Sequence, residues 1–229
     1  MKKKMRIIVF TLILLLLNNS TTVHATPRNS ENIFKENIMT YEDCIGIVNN
    51  ADIYAKKMLI RATKGISDIP ITEKMLDLIE VTSINEDGIV EELEVCMTVK
   101  ELGYVMQDGE LGTVYMLNAF AATKSDSGTK SYSKTTAQGT VFWIDHSGVD
   151  NELFGVSGSW VTNGDTLTNR IVEYGADNNR SVIKTKYPTS NTFAYTETPG
   201  IIGLLLHLES KVDVNGKTLR LRVTSSLFT

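Results

Sequence analysis

Any chemistry in this chain of 229 residues has to come from a short list of side chains. Of three histidines, His24 falls in what reads as a removable leader, which leaves His146 and His207 as acid–base candidates. His146 lies in Asp145-His146-Ser147, which holds all three residue types of a nucleophile–base–acid relay. Successive side chains on a strand point to opposite faces, so these three cannot form a relay with one another and a distant serine would be needed. Gly155-Val156-Ser157-Gly158-Ser159 has serine where the nucleophile elbow ends in glycine, and it sits inside a strand pattern. Asp145, Ser147, Asp150, Asn151 and Glu152 gather oxygen ligands around Gly148. Calcium takes such oxygens, but the spacing is not that of an EF-hand, and solvated turns collect the same residues. Glu173, Glu197 and Glu209 could supply a carboxylate pair for glycoside cleavage only if the fold brings two of them together. Cys44 and Cys96 either form a disulfide that closes a long loop or stand as separate thiols; neither has the C-x-x-C spacing of redox or zinc sites. Phosphate loops, dinucleotide fingerprints and H-E-x-x-H are missing. The sequence therefore assigns no catalytic, cofactor-binding or metal residue, implies no cofactor, and leans away from an enzyme.

The elements that must position these residues are most legible at the end of the chain. Ile202, Leu204, Leu206, Leu208, Val212 and Val214 are apolar and in step, and Leu219, Leu221, Val223 and Leu227 repeat the pattern beyond Asn215-Gly216. Period two predicts two strands with one buried face, and Asn-Gly predicts a two-residue turn with both φ angles positive. That turn sets Val214 opposite Lys217, Val212 opposite Leu219, Leu208 opposite Val223 and Leu204 opposite Leu227. On the other face Glu209 meets Arg222 and His207 meets Thr224.

Upstream, Thr40–Ala62 reads as one amphipathic helix. Thr40 caps it with Asp43 three residues on, and Tyr41, Cys44, Ile45, Val48, Ala51, Ala55, Met58, Leu59 and Ala62 form its apolar stripe. Gly65 stops it and Pro70 blocks a restart. Residues 71–81 fit a short helix or a strand, with a strand preferred for Leu76–Ile84 because Asp87-Gly88 follows. Glu91–Lys100 alternates with Cys96 on its polar side, and Thr113–Thr123 follows a turn at Asp108-Gly109. Ser125–Thr136 is a Ser/Thr/Lys/Gly-rich connection. Ala137–Asp145 is apolar on both faces, so it predicts a central strand covered twice. In Leu153–Val161, Phe154, Val156 and Trp160 share a face, and Asn163-Gly164 predicts a second hairpin. It sets Trp160 against Leu167 and Val156 against Ile171, with Gly155 and Ser157 facing Val172 and Arg170. The close neighbour of the small residues is then the other sheet or Tyr174. Trp143 and Trp160 read as core. Short strands at Ser181–Tyr187 and Thr192–Glu197 complete the pattern.

About eight strands from Glu91 onward, with turn signals between them, predict a mainly β fold. The expected architecture is an antiparallel β-sandwich or partly open barrel with one N-terminal amphipathic helix. The organisation reads as a signal peptide at 1–25, a flexible lead at 26–39, a helical segment packing on the sheet at 40–70, and the β domain at 71–229.

The signal reading rests on the basic head Lys2, Lys3, Lys4 and Arg6, the apolar core Ile7–Leu17, and a small-residue exit that predicts cleavage after Ala25. The core is shorter than the roughly 20 residues that span a bilayer, so no stable span is expected after cleavage. Removing the leader leaves 19 basic against 27 acidic residues, a net charge of −8 compared with −4 for the whole chain. That balance speaks against nucleic acid and against an anionic membrane surface as general partners, since both need clustered positive charge. The expectation is a secreted or extracellular monomer that binds a surface, a polymer or a protein without catalysis. The alternatives are a secreted hydrolase with a loop-built site and a bacteriocin-like, membrane-active factor.

Overall fold

The computed structural model describes residues 38–73, 79–84, 90–92, 95–121, 135–146, 151–162, 164–177 and 182–225. The expected signal peptide, Asp87-Gly88, Tyr132 and Leu227 lie outside the described residues. The described ones form twelve strands and two helices. The strands are β1 (Ile38–Met39), β2 (Ile79–Ile84), β3 (Val90–Glu92), β4 (Val95–Gln107), β5 (Glu110–Ala121) and β6 (Thr136–Asp145). They continue with β7 (Asn151–Val161), β8 (Leu167–Asp177), β9 (Val182–Lys186), β10 (Thr192–Gly203), β11 (Leu205–Val214) and β12 (Lys217–Ser225). The helices are α1 (Tyr41–Asn49) and α2 (Ala51–Thr63). Sheet A runs β1-β4-β5-β6-β7-β10 and sheet B runs β3-β2-β12-β11-β8-β9, packed as an antiparallel-rich β-sandwich.

The terminal hairpin has the register that the Asn215-Gly216 turn dictates. Val214 pairs with Lys217, Val212 with Leu219, Leu208 with Val223, Glu209 with Arg222 and His207 with Thr224. Asn215 and Gly216 have φ of 50° and 83°, as a two-residue hairpin turn requires. Leu206, Leu208, Val212, Leu219, Leu221 and Val223 all enter the core between the sheets. Residues 79–84 form a strand, β2, which adds to β12.

β6 is central in sheet A and is covered twice. Val141 and Trp143 face sheet B, while Phe142 and Ile144 face the helices. Trp143 and Trp160 are fully buried.

Three expectations for β7 are corrected. It does not pair with β8: its neighbours are β6 and β10, and β8 belongs to the other sheet. The chain leaves sheet A at Val161 and enters sheet B at Leu167. Trp160 and Leu167 therefore meet inside the core as residues of facing sheets, not side by side in one. A turn signal says that the chain reverses, and apolar-on-apolar parity is satisfied equally by a partner across the layer. Second, Phe154 does not share a face with Val156. The β6–β7 register shifts between Phe142 and Trp143, and this bulge turns Phe154 toward the helices while Leu153 and Val156 stay in the inter-sheet core. Third, Gly155 faces neither Val172 nor Tyr174. A Cβ built on it would lie 2.5 Å from Cγ2 of Val48, on α1.

The helical stretch starts as a capping box. The Asp43 N–H donates to Oγ1 of Thr40, and the Asp43 carboxylate accepts from the Thr40 N–H at 2.8 Å. The Thr40 donors hold the Asp43 carboxyl below its ordinary range. In place of one helix there are two, broken at Asn50, whose side chain donates to the Gly46 carbonyl. The break lets Cys44, Val48, Ala51, Met58 and Ala62 all reach the outer face of sheet A, whereas Leu59 stays outside at 41% exposure. Gly65, at φ +65°, ends α2.

This docking generates a stability prediction. Gly155→Ala lowers the unfolding free energy by about 1–3 kcal/mol, the usual cost of overpacking. Adding Val48→Ala makes room, so in urea titrations the double variant loses less than the two single variants summed.

Candidate functional site

The polar residues fall into three groups. The first is centred on Glu152, in β7 and only 2% exposed. Its Oε1 lies 3.1 Å from the Tyr41 hydroxyl and accepts the Gly200 N–H at 3.0 Å; its Oε2 lies 3.1 Å from Nε2 of His146. The Tyr41 hydroxyl is also 3.0 Å from the Glu197 carbonyl oxygen. Burial, then the charge of Glu152 and the hydrogen bond to it, push the Tyr41 phenol far above its ordinary 10.0, so it remains a donor. Gly200 is required here: a Cβ on it would stand 2.4 Å from Oε1 of Glu152. The carboxylate thus has a donor on each oxygen, drawn from α1, β10 and the end of β6. This ties three elements together and leaves little lone-pair capacity for a substrate proton.

The second group joins the two sheets. Glu197 on β10 accepts from the Tyr174 hydroxyl of β8 at 2.8 Å and is ion-paired with Lys184 of β9. Tyr174 stacks on Tyr195 with centroids 5.6 Å apart, and Lys186 sits over the Tyr195 ring at 5.8 Å. Both lysines of β9 are thereby drawn toward β10. Burial and the bond to Glu197 raise the Tyr174 phenol well above its ordinary range.

The third group lies on the outer face of sheet B, away from the core. Glu209 is 5% exposed although it points out of the sandwich. Lys211 approaches its Oε1 at 2.5 Å, Arg220 its Oε2 at 2.5 Å, and Arg222 the same oxygen at 3.7 Å. Glu173, paired with Glu209 across β8 and β11, reaches Lys211 at 3.5 Å. His207 stands beside them, opposite Gly175 and Thr224. Burial alone would raise the Glu209 carboxyl, but the hydrogen bonds from Arg220 and Lys211 and their charges outweigh it and hold it below its ordinary 4.5. Burial holds the His207 imidazole below its ordinary 6.5; Arg222 and Arg220 act the same way, and Glu209 and Glu173 oppose them.

The structure separates several sequence candidates. Ser147 and Asp150 lie outside the described residues, and Glu152 has turned inward onto Tyr41, Gly200 and His146 instead of joining Asp145 in a turn. Among the described residues no three His, Cys, Asp or Glu side chains converge as a metal would need. Also among them, no serine hydroxyl is hydrogen bonded to His146. Of the three candidate glutamates, Glu173 and Glu209 are cross-strand neighbours on an open sheet face, and Glu197 is in the other sheet. No disulfide joins Cys44 and Cys96; both pack in the helix-side core, and burial, then the charge of Asp43, push the Cys44 thiol up to about 11. Lys211 and Arg220 were missed as partners of Glu209. The hairpin register held that signal, since it places them opposite one another beside Glu209 and Arg222. Tyr41 and Gly200 had no local signal pointing to Glu152, from which they are 111 and 48 residues away.

Two predictions follow from the outer face. A half-buried histidine held below its free value binds its proton more readily when unfolded, so stability declines as pH falls below about 6.5. Glu209 adds a second decline, below about 4.5, as its proton is forced on. In unfolding measured against pH, His207→Gln flattens the first and Glu209→Gln removes the second. Glu209→Gln also costs on the order of 2 kcal/mol at neutral pH, because three cations lose their shared acceptor. No family model, curated protein or solved structure matches this chain.

Proposed function

We propose that the chain is exported and acts without catalysis, as a binding module of the extracellular space or cell envelope that takes its ligand on the outer face of sheet B. The observation that carries the reading is the Glu209 group: five charged side chains interleaved across β8, β11 and β12, on a face that neither helix contacts. The Arg220 and Arg222 side chains are 27% and 40% exposed, so both guanidinium groups reach solvent on that face. Partly exposed guanidinium groups on an open face favour an anionic group, carboxylate, sulfate or phosphate, on a polymer or protein. The basic head, short apolar core and small-residue exit of residues 1–25 support export. The use of His146 and Glu152 as an internal tie supports a role other than catalysis.

The hydrolase reading retains one foothold, the His146–Glu152 pair, with the histidine side chain 15% exposed. One experiment separates the two. Isolated cell-wall and membrane fractions of the producing cell are incubated with the chain, and both retained protein and released soluble fragments are measured. Binding is expected to fall at least tenfold in Arg220→Gln/Arg222→Gln, a loss in line with two charge-assisted contacts, with no fragments above the blank. Release of fragments that His146→Ala abolishes would establish the hydrolase instead.

A further inference from the structure

Helix α2 buries Ala51, Met58 and Ala62 and turns its opposite side to solvent. That side carries Ile53, Lys57, Ile60 and Lys64, spaced four, three and four apart, which aligns them along the helix. Ile53 is 62% exposed and Ile60 47%; Ile66, just beyond the Gly65 turn, is 46% exposed. Lys56 flanks the line, with Leu59 past it. Lys56, Lys57 and Lys64 are exposed and make no ion pair among the described residues, whereas Arg61 is held by Asp68 at 2.5 Å. In an acidic chain, uncompensated cations are gathered where β-branched apolar side chains are left open. Neither feature assists folding, and together they have the composition of a helix lying in a membrane interface.

The geometry points to the outer face of α2 as a peripheral contact with an anionic lipid surface. Ile60 enters the boundary between headgroups and acyl chains, and Lys56, Lys57 and Lys64 lay their stems along it with ammonium groups at the phosphates. A lipid surface fits better than a protein partner because the face is convex and one helix wide. Side chains on a ridge are buried by a medium that closes around them, while a protein would have to offer a matching acidic groove. Asp52 is in the first turn of α2, and Ile53 lines a hollow between the helices with the acidic Glu42 and Asp43, so the C-terminal turns of α2 carry the contact. Among the described residues no helix is long and apolar enough to cross a membrane, so the contact is with the surface. This inference is independent of the Glu209 face. The helices cover sheet A, so a docked molecule would present sheet B on its far side.

The test places an indole on the face. In the full chain carrying Ile60→Trp, fluorescence is quenched by brominated acyl chains in phosphatidylglycerol vesicles. The native Trp143 and Trp160, buried at 0% and 1% exposure, supply an unquenched baseline. Tyr187→Trp, at a position 73% exposed beyond β9, serves as the control site and stays unquenched. Phosphatidylcholine vesicles give little quenching, and Lys56→Gln/Lys57→Gln/Lys64→Gln lowers partitioning into phosphatidylglycerol by about a hundredfold, at the usual strength of lysines near an anionic surface. Three results would each overturn the inference. They are vesicle binding with the Ile60→Trp indole unquenched, equal quenching in phosphatidylcholine, and a concentration-dependent blue shift without lipid, which would assign the face to contact between copies.

Discussion

A strand that is apolar on both faces has to be covered twice, and β6 makes that demand of this molecule. Val141 and Trp143 need one layer over them, Phe142 and Ile144 another. Sheet B supplies the first and the broken helix pair supplies the second. The break at Asn50 belongs to the same constraint, because it lets one apolar stripe follow a twisted sheet from Cys44 to Ala62. Gly155 lets Val48 come down onto the sheet, and Gly200 lets Glu152 meet Tyr41 and β10. Among the described residues the outer face of sheet B has no such cover, and there the polar side chains of β8, β11 and β12 satisfy one another.

What could be read from residue order follows from how local the determining physics is. The β11–β12 register depends on one turn and on parity, and both are written within a few residues of each other. The doubly covered character of β6 is equally local. The partner of β7 was not legible, because a turn can return the chain to the same sheet or to the facing one with the same apolar match. Bulges mislead in a second way. One extra residue at Phe154 inverts parity, and another near Leu102 does so in β4, which lets β4 and β5 run on through Gly103 and Gly112 where alternation fades. The expected end of β10 before Pro199-Gly200 fails for a like reason: the strand continues past an irregularity between Thr196 and Ile201.

The polar groups divide along the same line. Glu209 with Arg222 could be read from the hairpin, and Lys211 with Arg220 follows from the same register. The Glu152 tie could not, since it joins the start of α1, the end of β6 and the middle of β10, which only the completed three-layer packing brings together. Its ingredients had looked like a metal turn or a relay. Burial converts them into a fastening, because a carboxylate at 2% exposure is tolerable only with donors on both oxygens.

The path of β10 has a mechanical meaning. It lies in sheet A, yet the strands before and after it, β9 and β11, both belong to sheet B. Asn191, at its entry, accepts from the backbone N–H of Trp160 in one sheet through its carbonyl and from Arg170 in the other through its side-chain oxygen. The strand is a stitch passed through both leaves of the fabric. The leaves cannot slide or peel apart until β10 is stripped from β7, so a tug on either sheet is shared by both, and the molecule yields as a whole or not at all.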